Sequence, residues 1–335
     1  MRLLSIIFSF IFLIFALISG TFFYVQHDYQ KTSLVKEDRN FIISKGASLR
    51  DMRDKLATEN FISDISAFIL PYIVRAHGQD KTIKAGEYAI PKGSSAEDII
   101  DIFVSGKTIL HKITFPEGET VYMMLERIKA NDILTGDMTL SPEEGMMEPE
   151  TYLFSRGMTR DKLIQQMIER QKKNLNGVWE KRPEDDFPIH SKEELLILAS
   201  IVEKETALAS ERPMVASVFL NRLRKKMRLQ TDPTIIYGIT GGKTSFKRPI
   251  YRSDLIRDTG YNTYIIDRLP PTPICNPGRH ALEAVVSAPK TDYLYFVANG
   301  TGGHSFSRTL KEHNKNVRIW RKIERNTKSP RLLRM

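Results

Sequence analysis

The chain opens with an uninterrupted apolar run, residues 3–25, that contains no charged side chain. In a helix rising about 1.5 Å per residue, such a run crosses roughly 30 Å of hydrocarbon, the core of one bilayer. It therefore predicts one membrane-spanning helix. An export signal is the competing reading, but its apolar region is normally about 7–15 residues long and ends at a small-residue cleavage site. This run is longer and no Ala-x-Ala follows it, so a retained anchor is expected over residues 1–26.

After a polar linker, 27–40, a local pattern repeats: an apolar triplet, a glycine, then a hydroxyl residue two positions later that opens a helical periodicity. It occurs at Phe41-Ile42-Ile43 with Gly46 and Ser48, and at Tyr88-Ala89-Ile90 with Gly93 and Ser95. It recurs at Ile113-Thr114-Phe115 with Gly118 and Thr120, and at Tyr152-Leu153-Phe154 with Gly157 and Thr159. Each reads as a strand, a glycine turn and a helix N-cap. Asp51 and Asp98, three residues after Ser48 and Ser95, complete partial capping boxes.

Between 41 and 90 the order is strand, helix (49–57), helix (62–75), strand, and the expected fold class is α+β. The order resembles the LysM fold, a small glycan-binding module; a spacer holding the rest of the chain off the membrane is the competing reading. The expected division is a LysM-like module at 41–106, an α+β connecting region at 107–190, a further domain at 191–325 and a basic tail at 326–335. Residues 171–190, rich in charge, read as surface linker.

Charge changes the picture little. The net charge is +10, and the last eighteen residues hold seven Lys or Arg against one acid, a field that favours polyanions. No nucleic-acid-binding motif accompanies it, and the basic excess shares the chain with a membrane span, so nucleic acid is not an expected partner. Flanking charge does not orient the span: Arg2 precedes it, while Lys31, Lys36 and Arg39 follow it. The single cysteine, Cys275, excludes an intramolecular disulfide and a cysteine zinc site. His304 and His313 lack metal-ligand spacing and read as structural; neither metal nor cofactor is expected.

The candidate chemistry lies after residue 190. Ser191-Lys192-Glu193-Glu194 has the form of a capping box opening a strongly apolar helix. Two acids enter its C-terminal half. By helical spacing Glu205 sits over Leu195, Leu198, Ile201 and Val202, whereas Glu203 sits over Lys192, Leu196, Ala199 and Ser200. A carboxyl beside hydrocarbon loses hydration when it ionises, so its pKa rises and it can stay protonated near neutrality, as a general acid must. An acid at a helix end is also an ordinary surface feature, so the helix alone does not establish the role.

The run Ala199-Ser200-Ile201-Val202-Glu203-Lys204-Glu205-Thr206 continues into Glu211-Arg212, Ala216-Ser217-Val218-Phe219-Leu220-Asn221-Arg222-Leu223 and Met227-Arg228-Leu229-Gln230-Thr231-Asp232-Pro233-Thr234. Further on come Tyr261-Asn262-Thr263-Tyr264, Leu269-Pro270-Pro271-Thr272-Pro273-Ile274, Asn276-Pro277-Gly278, Tyr293-Leu294-Tyr295-Phe296-Val297, His304-Ser305-Phe306 and His313-Asn314. Glu144-Gly145 and Pro149-Glu150-Thr151-Tyr152 lie upstream. Taken in order, these resemble the YceG-like family of endolytic murein transglycosylases across nearly the whole chain. Two positions depart from the family pattern: Glu150 stands where Asp is usual, and Cys275 where a small residue is usual.

The resemblance implies a lysozyme-like helical active-site region and one catalytic glutamate, placed at Glu205, with Glu203 as the alternative. It implies cleavage of the β-1,4 bond between N-acetylmuramic acid and N-acetylglucosamine to leave a 1,6-anhydro end. A substrate cleft lined by Gln230, Asp232, Tyr237, Asn262, Tyr264 and Asn276 follows from it; turn and core roles are the plain alternative for each. Implied partners are peptidoglycan strands, the membrane, and peptidoglycan synthases with division or elongation proteins. The competing functions are a water-using muramidase and a non-catalytic wall-binding scaffold. The substrate lies outside the cytoplasm, so the expectation is a single-pass protein of the bacterial inner membrane with its catalytic domain extracytoplasmic.

Overall fold

The computed structural model describes residues 2–328. It is a mixed α+β chain that divides into two compact units, Met1–Lys112 with Leu153–Met158, and Ile113–Tyr152 with Thr159–Met335.

The first unit begins with α1 (Arg2–Lys31), followed by β1 (Arg39–Ile43), α2 (Leu49–Thr58), α3 (Asp64–Ala76), β2 (Gly86–Ile90) and α4 (Ala96–Ser105). From Ile6 onward the apolar part of α1 is exposed, and the helix is long and apolar enough to cross a membrane. β1 and β2 pair antiparallel, Phe41 opposite Tyr88. Phe41, Phe61, Tyr88 and Phe103 form the aromatic centre of a core that also takes in Leu56, Leu70, Ile90 and Ile99. β3 (Leu110–Thr114) carries the chain from the first unit into the second.

The second unit adds α5 (Val121–Lys129). β4 (Thr151–Ser155) pairs with β3, and its chain returns through residues 153–158 to the first unit before α6 (Arg160–Trp179). Then come α7 (Lys192–Glu205), α8 (Arg212–Arg224), α9 (Asp232–Thr240), α10 (Arg252–Leu255) and α11 (Arg279–Val286). The antiparallel pair β5 (Tyr295–Ala298) and β6 (His304–Ser307) precedes α12 (Leu310–Lys328). α7 lies at the centre, packed against α6, α8, α9 and α11. Its residues 195–202 are all buried, so a helix with little amphipathic contrast is explained by contact on nearly every side.

The fourfold pattern is built as the sequence predicts. Ser48, Ser95, Thr120 and Thr159 cap α2, α4, α5 and α6, each hydroxyl accepting an amide of the first turn. The glycine before each cap is left-handed, with φ of 82°, 83°, 81° and 88° at Gly46, Gly93, Gly118 and Gly157, a conformation that costs a residue with Cβ about 1 kcal/mol or more. Both expected capping boxes, Ser48 with Asp51 and Ser95 with Asp98, are reciprocal.

One expectation is corrected. The stretch 171–190 is not linker throughout, because α6 continues to Trp179 and Gln171 is fully buried. Ile164, Met167, Gln171, Leu175 and Val178 form one helical stripe, and the amide in its middle hides the apolar period from the sequence. Gln171 Nε2 is satisfied by the carbonyls of Gly145 (3.0 Å) and Pro277 (3.1 Å). In the expected basic tail, 326–335, the residues beyond Lys328 lie outside the described residues.

Candidate active site

α7 is started by the Ser191 hydroxyl, which accepts the Glu194 amide. The Glu194 carboxylate reaches back to the amide of His190 at 2.8 Å instead of that of Ser191, so the expected reciprocal box is displaced by one residue. From this start the helix delivers its two terminal acids to opposite surroundings, because residues two apart point about 200° from each other.

Glu203 is committed to structure. Its Oε1 receives Arg212 Nη2 at 2.8 Å and its Oε2 receives the Gly278 amide at 3.0 Å, while the same Arg212 nitrogen also pairs with Glu117 at 2.8 Å. Burial and the neighbouring Glu117 push its pKa up; the Gly278 amide and Arg212 oppose them. A Cβ at position 278 would lie 1.9 Å from Glu117 Oε1, so a side chain there would push aside the Glu117 carboxylate that shares Arg212.

Glu205, the last residue of α7, has no basic ion-pair partner within salt-bridge range among the described residues. Its Oε1 accepts the hydroxyl of Thr231. Burial is the main influence on its pKa, which rises from 4.5 to about 7; the Thr231 hydrogen bond opposes the rise, Asp232 adds to it, and His304 and Arg222 weakly oppose it. The helix end adds in the same direction, because the carbonyl-rich C-terminus of α7 disfavours a negative charge. Glu205 is thus poised to hold or release a proton near neutral pH.

The groups around Glu205 are set by a threonine cluster. Gln230 adopts φ 49°, a strained left-handed turn for a residue with a side chain. Its amide donates to the Thr263 carbonyl at 3.1 Å, and the Thr231 amide donates to Thr263 Oγ1 at 3.0 Å. Thr234 Oγ1 sits 2.9 Å from Thr263 Oγ1 and donates to the Thr231 carbonyl at 2.7 Å. All three threonines are buried, so the Thr231 hydroxyl is held at Glu205 by a network rather than by its own rotamer.

Of the predicted site residues, the structure gathers Glu205, Gln230, Asp232 and Tyr264. Tyr264 donates its hydroxyl to Asp232 Oδ1 at 2.7 Å; Asp232 raises the pKa of Glu205, and Glu205 in turn helps raise that of Tyr264. Gln230 Oε1 accepts Arg222 Nη1 at 3.4 Å.

The structure does not bring the other three to Glu205. Tyr237 donates to Glu144 Oε2 at 3.1 Å and packs on Tyr261, ring centroids 5.0 Å apart. It lines a separate cavity of about 760 Å³ with Leu196, Ile197, Glu144, Tyr261 and Pro273. Leu196 precedes Glu205 by nine residues, half a revolution around α7, so that cavity opens on the opposite face of the helix. Asn262 is buried, and its amide donates to the carbonyls of Asp254, Leu255 and Arg257. Asn276 is fully buried, accepting the Met147 amide at 2.9 Å and donating to the Glu119 carbonyl at 3.1 Å. Both asparagines hold loops; neither offers a free amide to a ligand.

Sequence reasoning missed three contributors. Thr231 stands between two residues that were named, and its hydroxyl contacts the acid. Arg222 is buried, spent on the carbonyls of Leu294 (2.7 Å) and Leu229 (2.8 Å), and brings positive charge toward Glu205. Glu211 accepts both the Nδ1 (2.6 Å) and the backbone amide (2.9 Å) of His304, which fixes the imidazole. An arginine within the apolar α8 pattern was the available signal for Arg222; nothing local pairs Glu211 with His304. Among the described residues no cluster of three or more His, Cys, Asp or Glu side chains is arranged to hold a metal.

Fold and site together define an α+β chain with a carboxyl of raised pKa, Glu205, at the end of a buried helix. Residues 41–319 match the model of the YceG-like family, and the chain belongs to that family. It is 33% identical over 334 residues to an endolytic murein transglycosylase of Bacillus subtilis (strain 168), covering 89% of each chain. It is 28% identical over 280 residues to an endolytic murein transglycosylase of Streptococcus pneumoniae serotype 2 (strain D39 / NCTC 7466), with 70% of this chain and half of that relative aligned. A crystal structure of a YceG-like protein from Listeria monocytogenes matches with a TM-score of 0.53 and 31% identity, covering 83% of this chain and 98% of that one.

Proposed function

We propose that this protein is an endolytic murein transglycosylase of the bacterial inner membrane, with Glu205 as its only acid/base. The observation that carries the assignment is the contrast between the two acids of α7: Glu203 is bound by Arg212 and the Gly278 amide, whereas Glu205 contacts a hydroxyl and titrates near neutrality.

Protonated Glu205 gives its proton to the oxygen of the β-1,4 bond, the C1–O bond breaks, and positive charge develops at C1 of N-acetylmuramic acid. The resulting carboxylate takes the proton of the C6 hydroxyl while that oxygen bonds to C1. The products are a 1,6-anhydro end and a free 4-hydroxyl, and Glu205 is again protonated. No water is consumed. Thr231 holds the carboxyl in place, Arg222 and His304 favour its ionised form once the proton has left, and Asp232 with Tyr264 and Gln230 offers sugar contacts. Tyr237 lies beyond this cluster, and Asn262 and Asn276 act by shaping loops. A helical cradle of α7, α8 and α9 around the acid is the lysozyme-like part of this reading.

The β1–α2–α3–β2 module is the LysM-like part, a glycan-binding or spacing element between membrane and enzyme. With α1 retained as anchor and the remainder extracytoplasmic, the enzyme meets nascent strands as they leave the membrane. It then trims or terminates them beside the synthases and the division or elongation proteins. The proximity of Asp232 to Glu205 favours one second reading, hydrolysis, in which a second carboxylate assists water. Mass spectrometry of products from uncrosslinked glycan strands tests both: anhydro-muramic ends from the wild type and none from Glu205→Gln support the transglycosylase, reducing ends support the muramidase, and no cleavage by either removes the enzymatic reading.

A further inference from the structure

The first unit carries an exposed feature that catalysis does not use. α1 does not end where its apolar run ends; it continues as helix to Lys31, and its last turns are part of the core of the first unit. Asp28 is buried and accepts the hydroxyls of Ser63 and Ser66 at the start of α3, the second at 2.6 Å. Tyr29 is buried, and Gln30 donates to Glu97 of α4 at 3.1 Å. The membrane helix and the module therefore meet through packed side chains, with no flexible joint between them.

This fixes where α3 lies. Asp28 follows Val25, the last residue of the apolar run, by three residues, about 4.5 Å along the helix axis. The headgroup layer on each side of a bilayer is roughly 5–8 Å thick. The first turn of α3, tied to Asp28, is consequently at headgroup depth if α1 spans the membrane. On that helix Phe68 is 71% exposed and Tyr72 is 66% exposed, their ring centroids 6.2 Å apart. Arg75, also exposed, completes an i, i+4, i+7 stripe on the same face. Ser66, Ala67, Leu70 and Val74 on the other side are buried. Single exposed apolar residues are ordinary. A stripe of two aromatics and an arginine beginning two residues from the point where a helix is tied to a membrane span has the composition of an interfacial belt, in which rings sit among headgroups.

We propose that the Phe68–Tyr72–Arg75 face of α3 seats on the phospholipid surface of the bilayer that α1 crosses, so that the module is held in one orientation to the membrane rather than swinging on its anchor. The inference rests on α1 being a retained span.

The test uses the full chain in nanodiscs of phosphatidylethanolamine and phosphatidylglycerol, with single tryptophans introduced by Phe12→Trp, Phe68→Trp and Tyr72→Trp, and the two native tryptophans measured as baseline in the wild type. Lipids brominated near the headgroup end of the acyl chains report positions 68 and 72 by quenching, and lipids brominated near the chain ends report position 12 at mid-span. The expected result is that the added emission at positions 68 and 72 falls by about half or more. Quenching at position 12 with none at 68 and 72 overturns the proposal and leaves the anchor intact; those rings are then free for a protein partner. No quenching at position 12 removes the anchor itself, and the seating face with it. Phe68 and Tyr72 are exposed, so neither substitution disturbs the core.

Discussion

Replacing Glu205 by Gln should abolish cleavage and at the same time stabilise the protein at alkaline pH. The native pKa lies above the ordinary value, so the protonated form contributes stability that is complete below about 4.5 and is lost as pH rises through about 7. The interval from 4.5 to about 7 corresponds to roughly 3 kcal/mol, at about 1.4 kcal/mol per unit. Gln keeps the shape of the side chain and can still accept the Thr231 hydroxyl, so the substitution removes mainly the charge. Near about pH 4 both proteins are neutral at this position and should melt together; near about pH 9 the variant should be more stable by up to about 3 kcal/mol. In a unit of roughly 200 residues each kcal/mol moves Tm by about 2–4 °C, which predicts a gain of about 6–12 °C at the higher pH. Differential scanning calorimetry across that range, with strand cleavage followed on the same preparations, reads both halves. A Tm difference that stays flat with pH, or that favours the wild type at high pH, would refute the claim that Glu205 is held near neutrality by burial.

Thr231→Val removes the hydrogen bond that lowers the Glu205 pKa, so the alkaline limb of the pH–rate profile should move upward by about one to two units, given about 1.5–3 kcal/mol for a hydrogen bond to a charged group; an unmoved or lowered limb would contradict the assignment. Glu203→Gln should keep cleavage within about tenfold of wild type while losing stability of the order of 3 kcal/mol in urea unfolding, because Arg212 is left with one buried partner fewer. Loss of all cleavage in that variant while it remains folded would shift the acid to Glu203. Gly145→Ala should cost about 2 kcal/mol or more with the rate constant of the folded enzyme unchanged, since φ is 85° and a Cβ would lie 2.7 Å from Pro273 Cγ; full stability in the variant would show that the loop shifts freely.

Local features were readable from the sequence because their causes are local. A run of apolar residues without charge gives α1, and a hydroxyl two residues after a glycine gives the caps of α2, α4, α5 and α6, since turn and cap are each decided within a few residues. The sequence likewise put two acids on different faces of α7, because helical periodicity alone separates them. It failed on α6, where the buried amide of Gln171 looks like a surface residue until the carbonyls of Gly145 and Pro277 are in place to receive it.

Which partners each carboxyl of α7 meets is set only by the tertiary structure. Arg212 and Gly278, which occupy Glu203, come from α8 and from the loop before α11, and Thr231, which touches Glu205, comes from the turn before α9. The same holds for Asn276, which looks like a ligand for sugar in the sequence and is consumed by the backbone of Met147 and Glu119 far from it along the chain, whereas Asn262 is consumed by carbonyls only five to eight residues away. A residue's type and spacing set what chemistry it is able to do. Its protonation, and whether its polar atoms remain available, depend on burial and on partners that approach only when distant segments pack together.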